Sequence, residues 1–292
     1  MSEYGHVVWP SANEKIWEFD YALEGSPTAE GIAIKYAYYK GNEVFFKASL
    51  PSLRVQYDAN LNGPYKDPLN YDNAQFYPSG SSSKVWRYGY SSFGLRALVL
   101  ESFHQIGWYK LKCRWIFYED GRVSPRLYSS GIIEHRNHRH HAYWRFDFDI
   151  NGAGNDLALE YNTYTPDLGW GPGWHTKQHE ITRVKNLPSN RTWAILDKSS
   201  GRGYMIRTGP NDGVADSFSQ SDFWVMRYHW DEDKKGQQGN STNDHLQDYM
   251  NFEPTDGQDL VLWYCAHLYH NAEHDNGDEW HYAGPNLLPF RY

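Results

Sequence analysis

Glu134–Ile150 holds the densest set of residues that could do chemistry. In an extended strand alternate side chains face opposite ways, so the even positions His138, His140, Ala142, Trp144, Phe146, Phe148 and Ile150 share one face. That face is an apolar stripe headed by two histidines. Residues two apart on a strand lie roughly 6.5 Å apart at Cα, close enough for two imidazoles to converge on one metal ion. A second stripe, Leu260, Leu262, Tyr264, Ala266 and Leu268, ends in His270. His138, His140 and His270 therefore form a candidate metal set in the interior. Three imidazoles with an open position suit catalytic zinc or copper, and spacing does not choose between them. The opposite parity collects Asp147, Asp149 and Asp259, hard oxygen donors suited to calcium or manganese or, equally, to an ordinary solvated face. In Gly107–Phe117 the apolar parity is Tyr109, Leu111, Cys113, Trp115 and Phe117, which turns Tyr109 inward. His135, His141, His175, His179, His229, His267 and His274 offer no comparable pairing and read as solvated or hydrogen-bonded.

The elements that must position these residues are strands. Period-2 runs occupy Gly31–Tyr39, Asn42–Ser49, Trp108–Tyr118, His138–Ile150, Glu180–Val184, Arg191–Leu196, Phe223–His229 and Asp259–Leu268, and amphipathic helical stripes are nearly absent. Ser79–Lys84, Thr163–Gly173 and Asp231–Asn240 have loop chemistry. The expectation is an all-β chain folded as one large antiparallel β-sandwich, with residues 1–292 forming a single domain. The 292 residues carry 28 Lys and Arg against 36 Asp and Glu, a net charge of −8 that offers no electrostatic footprint for nucleic acid or an anionic membrane. No apolar run is long enough to span a bilayer, and Met1–Phe19 lacks the pattern of a signal peptide, so a cytoplasmic location is expected. The two cysteines, Cys113 and Cys265, read as buried small hydrophobes in a reducing compartment. With 17% aromatic residues, a stacking pocket for an aromatic or extended apolar ligand is conceivable.

These segments, in this order, resemble the catalytic β-sandwich of the copper-containing amine oxidases. The likeness runs through Trp115-Ile-Phe-Tyr-Glu-Asp-Gly121, Ser130-Gly-Ile-Ile133, His138-Arg-His140, Arg145-Phe-Asp-Phe-Asp149, Trp224-Val-Met-Arg-Tyr-His229, Asp259-Leu-Val-Leu-Trp263 with His270, and Pro285-Asn-Leu-Leu-Pro289. It covers roughly residues 30–292 and is strongest from 107 onward. The resemblance implies copper at His138, His140 and His270, and peripheral calcium or manganese at Asp147, Asp149 and Asp259. It puts Tyr109 where the family converts a tyrosine to topaquinone. It matches Tyr57, in Leu53-Arg-Val-Gln-Tyr-Asp58, to the tyrosine that hydrogen-bonds the cofactor. It offers Asp72, in Asn70-Tyr-Asp-Asn-Ala74, as the catalytic base, with Asp67 a rival in register.

The surroundings of Tyr109 depart from the pattern, with Trp108 in place of Asn and Lys110 in place of an acid. A homodimer is implied by the family, but only about 17 residues separate Gly121 from His138, too few for the family's long arm around a partner subunit. Three functions are consistent with this reading. The first is a copper-dependent oxidoreductase that oxidises an amine-like substrate with O2 through a quinone derived from Tyr109. The second is a quinone-free copper oxidase, oxygenase or cyclase. The third is a metal-stabilised binding module.

Overall fold

The computed structural model describes residues 1–58, 63–131, 136–164, 171–232, 245–273 and 277–292. His135 and His274, and parts of the loops at Thr163–Gly173 and Asp231–Asn240, lie outside these residues. Strands dominate. They are β1 (Glu3–Ser11), β2 (Glu14–Leu23), β3 (Ile32–Tyr39), β4 (Asn42–Tyr57), β5 (Tyr65–Lys66), β6 (Val85–Ser92), β7 (Leu95–Ile106), β8 (Tyr109–Tyr118), β9 (Val123–Ser130) and β10 (His138–Phe148). The chain continues through β11 (Asp156–Asn162), β12 (Gly173–Lys177), β13 (Ile181–Arg183), β14 (Thr192–Asp197), β15 (Gly203–Arg207), β16 (Phe223–Arg227), β17 (Leu260–His270), β18 (His281–Ala283) and β19 (Asn286–Phe290). Among the described residues no helix is long and apolar enough to cross a membrane.

Two antiparallel sheets face each other, as the alternating patterns require. One runs β1-β2-β3-β4-β10-β17-β16-β13 with β5 on β4; the other runs β12-β11-β14-β15-β19-β9-β8-β7-β6 with β18 on β9. The histidine strand β10 sits in the middle of the first sheet, between β4 and β17. The tyrosine strand β8 lies in the second sheet between β7 and β9. The main core fills the space between the sheets with the inward parity of each strand, including Leu111, Trp115 and Phe117 of β8 and Trp144, Phe146 and Phe148 of β10. A smaller core, including Tyr143, Trp224, Val261, Trp263 and Cys265, covers the outer face of β10, β16 and β17. A central strand covered on both faces loses its polar alternation, which is why Arg145, Asp147 and His141 are buried despite their outward parity.

Trp115 and Trp144 meet edge to face between the sheets, with ring centroids 5.3 Å apart. Trp115 Nε1 donates to the Ile32 carbonyl at 2.9 Å, so the indole ties the tyrosine strand to the histidine sheet. Trp115→Ala is therefore expected to cost about 3–5 kcal/mol, measured by urea unfolding, and to lower metal retention by loosening the spacing of the two sheets.

Candidate metal centre

Strand register sets one row of the site. Tyr57, at the end of β4, is the cross-strand partner of His138, which on its other side is the partner of His270. His140 lies two residues along the same face, and Tyr109 enters from the opposite sheet at the first residue of β8. The His138 ring centroid is 5.0 Å from that of His140, 4.8 Å from His270 and 4.9 Å from Tyr109. Tyr109 stands edge-on to His140 at 5.1 Å. Its hydroxyl shares a hydrogen bond of 2.5 Å with that of Tyr57. Gly131 makes this approach feasible: at φ +96° it lies against the Trp108 carbonyl, where a Cβ would sit 2.4 Å from the oxygen.

The trio is buried, at 0%, 0% and 1% exposure for His138, His140 and His270. Neither ring nitrogen of His140 has a hydrogen-bond partner among the described residues. A buried imidazole in that state loses the solvation of two polar atoms, a loss that a bound cation would offset. Burial, with lesser effects from His138, His270 and His141, holds the His140 pKa well below its ordinary value. The ring is neutral and its lone pair is available to a metal, so the donor set fits a copper ion. The backbone register places the three residues side by side, His138 opposite His270 and His140 two residues along the same face.

Burial, aided by the Tyr57 hydrogen bond and then the Tyr57 and Asp67 charges, raises the Tyr109 pKa far above that of an ordinary phenol. Burial also raises that of Tyr57. Trp108 and Lys110, the two departures from the family pattern, both point outward, and Trp108 is 71% exposed. Neither side chain fills the space around the Tyr109 ring.

The two candidate bases are placed differently. Asp72 is on the surface, accepting from Ser26 N–H at 2.8 Å and lying 3.8 Å from the Met1 amine. It is not brought to Tyr109. Asp67, just beyond β5, is 7% exposed, and its Oδ2 has no hydrogen-bond partner among the described residues. Burial pushes its pKa up to about 7. Asn73 fastens the intervening loop by donating to the Pro68 carbonyl and contacting His104 Nδ1 at 2.8 Å. Burial pushes the His104 pKa down to about 3, so this anchor stays neutral.

On the opposite face, carboxylate oxygens of Asp147, Asp149 and Asp259 lie within 4.8 Å of one another. The solvated-face alternative does not hold for this group, since Asp147 and Asp149 are 1% and 8% exposed. Burial, then the charges of Asp147, Asp259 and Glu43, pushes the Asp149 pKa up to about 7. Arg145 Nη1 pairs with Asp147 Oδ2 at 3.3 Å and offsets part of this charge, and three oxygen donors so close together are also what a hard divalent ion binds. Calcium at roughly 100 times its Kd is expected to stabilise the fold by about 2.7 kcal/mol, read as a thermal shift that Asp149→Asn removes.

Sequence reasoning passed over one pair. His141 and His267 are not solvated; they are 0% and 1% exposed, and their Nδ1 atoms are 2.8 Å apart. Their shared parity on partnered strands was the signal. His175 instead contacts the Gly171 carbonyl, His229 pairs with Glu253 at 2.7 Å, and His179 stacks on Phe252.

No protein-family model and no curated protein matches this chain in sequence. Solved structures do match it in fold. A copper-containing benzylamine oxidase from Hansenula polymorpha aligns at a TM-score of 0.71 with 16% identity, covering 94% of this chain and 58% of that one. An amine oxidase from Aspergillus nidulans gives 0.68, 17%, 95% and 50%, and a lysyl oxidase from Pichia pastoris gives 0.69, 16%, 99% and 54%. A galactose 1-epimerase from Lactobacillus acidophilus aligns at a TM-score of only 0.40. The chain thus has the β-sandwich fold of the amine oxidases and spans about half the length of those it matches.

Proposed function

We propose that the chain is a copper-dependent oxidoreductase of amine-oxidase type, which oxidises an amine with O2 through a quinone formed from Tyr109. The observation that carries this reading is the placement of the Tyr109 ring against His138 and His140, with its hydroxyl held by Tyr57. His138, His140 and His270 are the residues that hold copper in this reading. Bound there, copper supplies the redox chemistry that oxidises Tyr109 in place with O2.

The protein's own groups have separate tasks. Tyr57 fixes the oxygen of Tyr109 by the 2.5 Å hydrogen bond, which sets which ring edge faces the substrate. Asp67 takes the proton from the carbon next to the amine; a carboxylate with a pKa near 7 is both available and basic enough at neutral pH. The buried walls, Leu111 and Val55 among them, keep bulk water from the reacting centre. Asp147, Asp149 and Asp259 bind a structural divalent cation on the far side of β10. Aerobic loading with copper should convert the Tyr109 peptide to a species that stains by redox cycling and is heavier by mass spectrometry. An unmodified Tyr109 after loading would defeat the quinone.

A further inference from the structure

β10 and β17 carry a second ligand set on their other face, arranged as the mirror of the first. On the inner face two histidines of β10, His138 and His140, meet one residue of β17, His270. On the outer face two residues of β17, Cys265 and His267, meet one of β10, His141, the cross-strand partner of His267. The three ligand atoms lie within 4.8 Å of one another. Nδ1 of His267 is 2.8 Å from Nδ1 of His141 and 3.8 Å from Cys265 Sγ. All three side chains are buried.

The outer nitrogens of both rings face acceptors. His267 Nε2 is 2.6 Å from Asp222 Oδ1, and His141 Nε2 is 3.3 Å from Gln56 Oε1 and 3.7 Å from Asp216 Oδ2. Acceptors at Nε2 favour the tautomer with hydrogen there, as a carboxylate does for a metal-bound histidine. Both Nδ1 atoms, 2.8 Å apart, then offer lone pairs that one cation can accept side by side with Cys265 Sγ; without a cation, the other tautomer of one ring makes the same contact an N–H···N hydrogen bond.

We propose that His141, His267 and Cys265 form a second metal site, which takes a soft d10 cation as copper(I). Sulfur and two imidazole nitrogens suit copper(I) and zinc, and the charge balance chooses between them. The flanking carboxylates are already neutralised, Asp222 by Lys185 at 3.3 Å and Asp216 by Arg139 at 2.8 Å. A thiolate formed by release of its proton to solvent exactly cancels one positive charge, leaving a buried neutral site with copper(I) and a buried excess charge with a divalent ion. Asp222, hydrogen-bonded to His267, is a positioning residue.

The test uses His138→Ala/His140→Ala, which removes the inner trio, loaded anaerobically from a copper(I) buffer. The expected result is one copper per chain with a sulfur neighbour in X-ray absorption. Cys265→Ser in that background should abolish the uptake, and Asp222→Asn should weaken it by about 10–100-fold. Uptake of no copper by the folded double variant, or uptake without sulfur, overturns the proposal. Should the double variant not fold, the copper–sulfur signal is sought in the wild-type chain and in Cys265→Ser; its absence from the first or survival in the second overturns the proposal equally. Failure of the amine-oxidase reading, seen as an unmodified Tyr109, leaves these outcomes unchanged.

Discussion

Tyr109→Phe is expected to eliminate the redox-cycling quinone and amine turnover together, while copper content by elemental analysis stays near one equivalent at the inner site. Phenylalanine keeps the ring that packs 4.9 and 5.1 Å from His138 and His140, and tyrosine is not among the three nitrogen donors. What disappears is the oxygen shared with Tyr57 and the phenol from which a quinone can form. The folding cost should be small, about 1 kcal/mol for one lost hydrogen bond at a partly buried site. His138→Ala should remove the inner copper and turnover at once. Turnover that survives Tyr109→Phe but not His138→Ala would identify a quinone-free copper enzyme. Loss of melting temperature on metal removal, with turnover absent throughout, would identify a binding module.

Asp67→Asn should move activity and stability in opposite directions. Turnover is expected to fall by about 10²–10⁴-fold, the usual contribution of a general base, and the acid limb of the pH–rate profile near pH 7 should vanish. The Asp67 charge acts on Tyr57 and Tyr109, whose raised pKa values keep both phenols protonated across that range, so neither phenol supplies the limb. Stability follows from the same burial. The folded-state pKa, about 7, lies above the ordinary value of 3.8, so the fold favours the protonated acid. That contribution is fully present below pH 3.8 and is lost as pH rises through 7. Above pH 7 the ionised carboxylate costs the fold about 4 kcal/mol, from roughly three pKa units. Denaturant unfolding of Asp67→Asn should therefore match the parent near pH 4 and exceed it by up to that amount at pH 8. A group that destabilises the fold at working pH is what a catalytic position tends to show.

The site strands were legible because their side chains alternate without interruption. The period-2 runs beginning at His138 and ending near Leu268 correspond to β10 and β17, and parity alone separated the inner histidines from the outer aspartates. β4 was expected to stop at Ser49 but runs to Tyr57, because Leu50, Pro51, Ser52 and Leu53 are all buried and show no alternation. Pro51 fits inside it because the register with β10 shifts there, between the Ser52–Tyr143 and Ser49–Arg145 pairs. The N-terminal hairpin of β1 and β2 was not anticipated; β1 is an edge strand with a weak burial pattern that leaves little hydrophobic period. The choice between Asp67 and Asp72 was beyond sequence, since both sit in loop chemistry and only the pairing of β5 with β4 draws one of them inward. His141 and His267 share the outward parity of their partnered strands, but their burial depends on the outer cluster around Tyr143 and Trp263, which no local pattern announces.

Neighbouring residues of β10 are chemically opposite, with His138, His140, Phe146 and Phe148 on one face and Asp147 on the other. A slip of one residue against β17 would turn every side chain over, bringing Asp147 into the core and Phe146 and Phe148 out of it. Burying that carboxylate would be costly, so the side-chain pattern itself penalises a chain zipped in the wrong frame.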